Sequence, residues 1–113
     1  VRCSANQILG AAAYGILLTG TPPSQATQCI VANNRVSYCD TLGIFDNTAP
    51  FATTKNIFNS NYAYLNGAGG NVNYSINSLV NPIRIWRTTG APDPVDQFGI
   101  LDPELDNLDI RNS

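Results

Sequence analysis

The sequence predicts an α+β domain, in which an apolar N-terminal helix packs on a small antiparallel β-sheet with a disulfide-stapled hairpin and a short C-terminal helix. Three observations predict it. Ala5 to Leu18 reads as an uncharged run of helix formers, Cys29 and Cys39 flank two short β-branched runs, and the acids crowd toward the C-terminus behind prolines. At 113 residues and 43% hydrophobic composition the chain reads as a single globular domain spanning 1–113, with a core large enough to fold but with little surplus.

The helix is marked first. Ser4 and Gln7 stand at the spacing of a capping box, in which hydroxyl and amide each satisfy an orphan N–H. Gly10 and Gly15 weaken the run, each by up to about 1 kcal/mol. Thr19-Gly20-Thr21-Pro22-Pro23 ends it, because glycine permits a left-handed turn and proline cannot continue the ladder. Apolar residues fall on nearly every side of the segment, and a helix apolar all round is buried all round. Ile8, Leu9, Ala12, Tyr14, Ile16 and Leu17 are therefore the expected assembly interface.

Next comes the stapled hairpin, Cys29 to Ala32 and Val36 to Cys39 around Asn33-Asn34-Arg35. Asparagine tolerates the positive φ that hairpin turns demand. A three-residue loop sets Cys29 opposite Cys39, at a separation suited to a disulfide. Cys3 is then left as a free or interchain thiol; the alternative pairs Cys3 with one of the other two. Leu42 to Phe45 reads as a short strand, with Phe51 and Phe58 as core anchors in the loop that follows. A second hairpin is expected from 61–65 and 71–76 around Asn66-Gly67-Ala68-Gly69-Gly70, and a further strand at Ile83 to Thr89. Asp102-Pro103 opens the C-terminal helix, with Leu101, Leu105 and Leu108 as its buried stripe. No internal repeat is evident.

Chemistry is narrowed mainly by what is missing. The chain has no histidine, which removes Ser-His-Asp and Cys-His machinery and histidine zinc sites. No phosphate loop is present, since Gly67 to Gly70 lacks the following Lys-Ser/Thr. No cofactor and no metal site is expected. The acids Asp93, Asp96, Asp102, Glu104, Asp106 and Asp109 offer a carboxylate pair or a calcium cluster in principle, but their place on a proline-rich loop and helix start favours capping and solvation. The chain is therefore expected not to be an enzyme. Tyr62, Tyr64, Tyr74 and Trp86, with Arg84 and Arg87 beside the tryptophan, form the expected binding face for a protein or glycan.

Six bases against eight acids, scattered along the chain, exclude a nucleic-acid surface. The longest apolar run, Ile8 to Leu18, is too short to span a membrane. Few charges, one lysine, no methionine and many asparagines suggest an extracellular protein with a neutral polar surface, its leader removed. Asn73-Tyr74-Ser75 is an N-glycosylation sequon.

In layout, an apolar helix on an antiparallel sheet with a disulfide loop resembles the globular part of a pilin-type subunit; the resemblance covers layout and no residue motif. The leading expectation is an extracellular structural subunit of a self- or hetero-assembling, pilus-like surface filament, partnered by copies of itself or another chain. The alternative is a secreted monomeric binding module, lectin-like or host-directed, using its aromatic and asparagine-rich face.

Overall fold

A computed structural model describes residues 1–21, 23–48, 54–70, 72–76, 85–87 and 107–110, with backbone alone at 86 and 87. Strands β1 (Arg2–Ser4), β2 (Gln7–Leu9) and β3 (Tyr14–Leu18) make a first coil. Strands β4 (Ile30–Ala32), β5 (Arg35–Ser37) and β6 (Leu42–Asp46) repeat it, and β7 (Ile57–Asn59), β8 (Tyr62–Tyr64) and β9 (Tyr74–Ile76) repeat it again. Strands of one coil do not pair with each other. Each pairs in parallel with its counterpart in the next coil, so that β1-β4-β7 form one sheet and β3-β6-β9 another. The remaining sheet runs β10-β11-β8-β5-β2, adding β10 (Ile85–Arg87) and β11 (Asn107–Ile110). Parallel strands visiting three sheets in turn make a β-helix, a solenoid whose coils rise by about 4.8 Å each.

This overturns the expected α+β fold. Among the described residues no helix reaches seven residues; a short 3-10 segment lies at Ala68–Gly70. The apolar N-terminal run folds as β1, β2 and β3, because its side chains are wanted in columns across coils rather than around an axis. Cys3 lies over Val31 and Phe58, Ile8 over Val36 and Ala63, and Ile16 over Ile44 and Tyr74. Val31, Val36, Ile44, Ala63 and Phe58 are buried between them. Gly15 is fixed by this packing, not by a helix: a Cβ there would lie 2.3 Å from Val36 Cγ1 and 2.8 Å from the Gly43 carbonyl oxygen. Tertiary columns override a local helix preference that is worth only tenths of a kcal/mol per residue (about 0.7 at most outside Gly and Pro).

The stapled hairpin is corrected for the same reason. β4 and β5 belong to different sheets, so Cys29 and Cys39 never face each other, and Cys3, Cys29 and Cys39 are all free thiols. The second expected hairpin is likewise two strands of different sheets, β8 and β9. Strand expectations survive at β6 and, within 83–89, at β10. The expected C-terminal helix lies outside the described residues up to 106; beyond it, Leu108 sits in strand β11, not on a helix stripe. β11 inserts between β8 and β10, although β10 precedes it in the chain.

The sequence does repeat, at a period hidden by divergence. Asn6, Asn34 and Asn61 stand 28 and then 27 residues apart. The residue before each has positive φ: Ala5 at 57°, Asn33 at 57° and Ser60 at 55°. A second corner repeats as Gly10, Tyr38 and Leu65, at 76°, 56° and 56°, and a third as Gln28 and Lys55, at 54° and 52°. Each corner thus turns the chain between sheets with one left-handed residue, a conformation that costs most side chains about 1–2 kcal/mol and glycine little.

Candidate functional site

The corners are held by asparagine amides that reach from one coil to the last. Asn34 Oδ1 accepts the Asn6 backbone N–H at 3.0 Å, and Asn34 Nδ2 donates to the Cys3 carbonyl at 3.0 Å. Asn61 treats the next turn alike, taking the Asn34 N–H at 3.1 Å and giving to the Val31 carbonyl at 2.8 Å. Asn107 repeats this on Asn61 N–H and the Phe58 carbonyl, at 3.3 and 3.0 Å. Asn66 caps Cys39 N–H and the Val36 carbonyl, and Asn56 caps Cys29 N–H and the Ala26 carbonyl. In every case the amide bridges the carbonyl at the start of a four-residue turn and the N–H at its end, the two groups that a closed turn would bond to each other. The corner is opened, and the next coil's side chain fills it.

The amides also stack. Asn6 Nδ2 donates to Asn34 Oδ1 at 3.0 Å, Asn34 Nδ2 to Asn61 Oδ1 at 3.0 Å, and Asn61 Nδ2 to Asn107 Oδ1 at 2.7 Å. Asn34 and Asn61 thereby make four hydrogen bonds each, the full capacity of a primary amide with two donors and two lone pairs. A second stack runs from Asn66 Nδ2 to Asn73 Oδ1 at 2.9 Å and from Asn73 Nδ2 to Asp109 Oδ1 at 2.6 Å. Six of the ten described asparagines are therefore interior: Asn34, Asn56, Asn61, Asn66, Asn73 and Asn107 are buried. This corrects the reading of asparagine as neutral surface. It also withdraws the sequon, since Asn73 Nδ2 is committed to Asp109 and the Ile110 carbonyl. Asp109 is a buried acceptor in the stack, not a solvated cap.

The expected binding face divides. Tyr62 and Tyr64 lie on the outer side of the five-stranded sheet, where the Arg35 guanidinium sits 5.6 Å from the Tyr62 ring centre and Tyr38 meets Tyr64 edge-on at 6.4 Å. Tyr74 points inward instead, its hydroxyl proton shared between the Asn61 and Leu108 carbonyls, which lie 3.0 and 2.9 Å away. Burial pushes the Tyr74 phenol well above its usual pKa, Asp109 adds to the rise, and the bond to Leu108 opposes it. Trp86 and Arg87 occupy register positions opposite Leu108 and Asp109, and Arg84 lies outside the described residues. Arg35, Tyr38 and Gln7, which sequence reasoning missed, join the face because the repeat stacks Gln7, Arg35 and Tyr62 in one column.

The expected assembly residues fare differently from one another. Ile16 is buried and Ile8 half-buried in the interior columns, whereas Leu9, Ala12, Tyr14 and Leu17 are exposed on the first coil. Leu9 is 67% exposed, which no core role explains. Tyr14 packs on Phe45 with ring centres 5.3 Å apart. The edges of β1, β2 and β3 lie at the margins of their sheets. Asn6 is exposed, and its Oδ1 receives no donor among the described residues.

Among the cysteines, burial raises the Cys39 thiol's pKa, with the Ala11 backbone hydrogen bond opposing and Asp40 adding to the rise. Of the described carboxylates, Asp46 and Asp109 are buried and Asp40 is exposed, so these residues assemble no open pair of acids. No group of three or more metal-ligating side chains forms among the described residues, and none of their helices could cross a membrane. Compared with family models, curated proteins and solved structures, the chain matches none.

Proposed function

We propose that this chain is a non-catalytic, extracellular structural module of a self- or hetero-assembling surface filament. The observation that carries the reading is the first coil, which combines three strand edges unpaired among the described residues with exposed Leu9, Tyr14 and Leu17. Open strand edges are templates for pairing, and soluble proteins ordinarily blunt them with lysine, proline or a covering loop. Gln7, Ile8 and Leu9 of β2 carry none of these residues. The pilin-like layout no longer supports the reading, because the helix it required is a set of strands; a β-helix supports it by growing along one axis, each coil contacting only its neighbours. Sparse charge, with no charged residue between Arg2 and Arg35, leaves little repulsion between apposed copies.

Light scattering on the size-separated protein, in reductant and across a concentration series, tests it. Polymers or a stable complex are expected, and Leu17→Asp is expected to shift them toward a 12.1 kDa species. A monomer at every concentration, without a partner chain captured in its place, overturns the reading.

The Arg35, Tyr62, Tyr38 and Tyr64 cluster favours a second reading, a binding module that takes a glycan or protein on the outer sheet face. Glycan-array binding by a monomer, lost in Tyr62→Ala, would favour it over assembly.

A further inference from the structure

We infer that the open edge of the first coil receives the opposite end of a second copy, stacked head to tail, so that β2 of one copy pairs in parallel with β10 of the next. The inference rests on the assembly reading and specifies its contact. The five-stranded sheet begins at β2 and ends at β10, and every pair within it is parallel. Its two margins therefore have the same strand direction and opposite hydrogen-bonding edges, which is the complementarity a parallel partner needs.

Among the described residues, nothing pairs with the outer backbone edge of β2. The Asn6 carbonyl accepts from Arg35 N–H and the Gly10 N–H donates to the Ser37 carbonyl, at 2.8 and 2.9 Å, so alternate residues face the second coil. Strand alternation turns the N–H and C=O groups of Gln7 and Leu9 to the open edge. The amide rule of the corners then selects the register. An asparagine in one coil takes the N–H that ends the turn of the coil before it, and in register that position passes from Asn34 to Asn61 to Asn107. β10 carries Ile85 opposite Asn107. Asn6 of the added copy, with its Oδ1 still open, thus caps the Ile85 N–H of its neighbour, and Gln7 comes to lie opposite Trp86.

A face-to-face dimer of two first coils cannot satisfy this rule. It would pair β2 with β2 antiparallel and, with Gln7 opposite Leu9, set each Asn6 beside the other copy's Gly10, whose N–H is already given to the Ser37 carbonyl. The head-to-tail contact joins two different surfaces and leaves both ends free after each addition, so it propagates into an open filament rather than closing.

Cysteine cross-linking decides the geometry. In a Cys3→Ser background, Gln7→Cys and Trp86→Cys proteins are mixed and mildly oxidised, and polymer length is followed with Asn6→Ala and Gln7→Pro variants. The expected results are a disulfide between the two different proteins, and association weakened about tenfold by either edge variant, the scale of one hydrogen bond. Thermal midpoints of the dilute monomers should stay within a few degrees of the parent. Gln7→Cys cross-linking to itself overturns the head-to-tail arrangement. So does assembly that Leu17→Asp abolishes while the mixed cross-link never forms, an outcome that leaves the assembly reading standing. Absence of any association overturns both.

Discussion

Replacing Asn61 by alanine tests the proposition that corner amides, more than core size, hold the coils in register. In the parent, Asn61 makes four buried hydrogen bonds: two accepted from Asn34, and one each donated to Val31 and Asn107. The alanine variant takes the partner from the Asn34 N–H and removes one hydrogen bond each from the Val31 carbonyl, the Asn34 amide and the Asn107 amide, the last two keeping the Cys3 carbonyl and the residue-61 N–H respectively. A buried polar group left unpaired costs about 1–3 kcal/mol. The Val31 carbonyl and Asn34 N–H belong to one turn and recover part of this by bonding each other, so the expected loss is about 3–5 kcal/mol. That is a large share of the roughly 5–15 kcal/mol that stabilises a domain. Asn6→Ala is the internal control, because Asn6 is exposed and donates to the stack only at Asn34; it should cost about 1 kcal/mol. Urea unfolding followed by circular dichroism, with equal slopes for parent and variants, measures both. Equal costs at Asn6 and Asn61, or a loss below about 1 kcal/mol at Asn61, would refute the argument.

Three further outcomes follow from the same geometry. Gly15→Ala should destabilise by about 1–3 kcal/mol through overpacking against Val36 and the Gly43 carbonyl; were 5–18 a helix the same change would stabilise, so the sign in a thermal melt decides between the two. Tyr74 has a folded-state pKa above its unfolded one, so the native state holds its proton longer and stability falls as pH rises past the unfolded value of about 10; Tyr74→Phe should flatten that alkaline slope while costing about 1 kcal/mol at neutral pH from the lost hydroxyl hydrogen bond, since the Asn61 carbonyl keeps the Leu108 N–H. Cys39→Asn should place an amide at the corner position that Asn66 fills one coil later, capping Ala11 N–H and raising stability by about 1 kcal/mol; a melt showing a loss equal to that of Cys39→Ala would contradict it.

What the sequence made legible were short stretches of strand character, and what it hid was topology. The Leu42 to Phe45 strand is visible because its apolar run is brief and bounded by Asp46-Asn47. The turn at Asn33-Asn34 was visible as well, but a left-handed asparagine fits a hairpin and a solenoid corner equally well. The difference lies in Asn34, whose amide is used by another coil. Ala5 to Leu18 misled because a coil with two interior-facing strands and an exposed apolar edge reads, in one dimension, as apolar on every side. The repeat that would have resolved this is carried by few identical residues. Asn6, Asn34 and Asn61 agree, while the residue before them changes from Ala to Asn to Ser and the next corner offers Ala11, Cys39 and Asn66. Left-handed φ at an alanine, a tyrosine and a leucine has no compositional signature, since nothing in those side chains asks for it.

Those strained corners and the amides that fill them are two halves of one device. A turn that closed on itself would bond its own carbonyl to its own N–H and owe nothing to its neighbour. By holding the corner open with a left-handed residue, the chain transfers that pair of hydrogen bonds to the following coil, so strain within a coil becomes cohesion between coils. The direction is fixed: in the ladders at all three corners the later coil caps the earlier one. A stack built this way has two unlike ends, one with an amide still to give and one with a turn still to be filled. Asn6 marks the first end, and its exposed side chain is the same group that three successive coils use inside the fold. The interaction that builds the solenoid is thus the one left available at its margin, which is why head-to-tail addition needs no new chemistry and side-by-side contact through the tyrosines would need some.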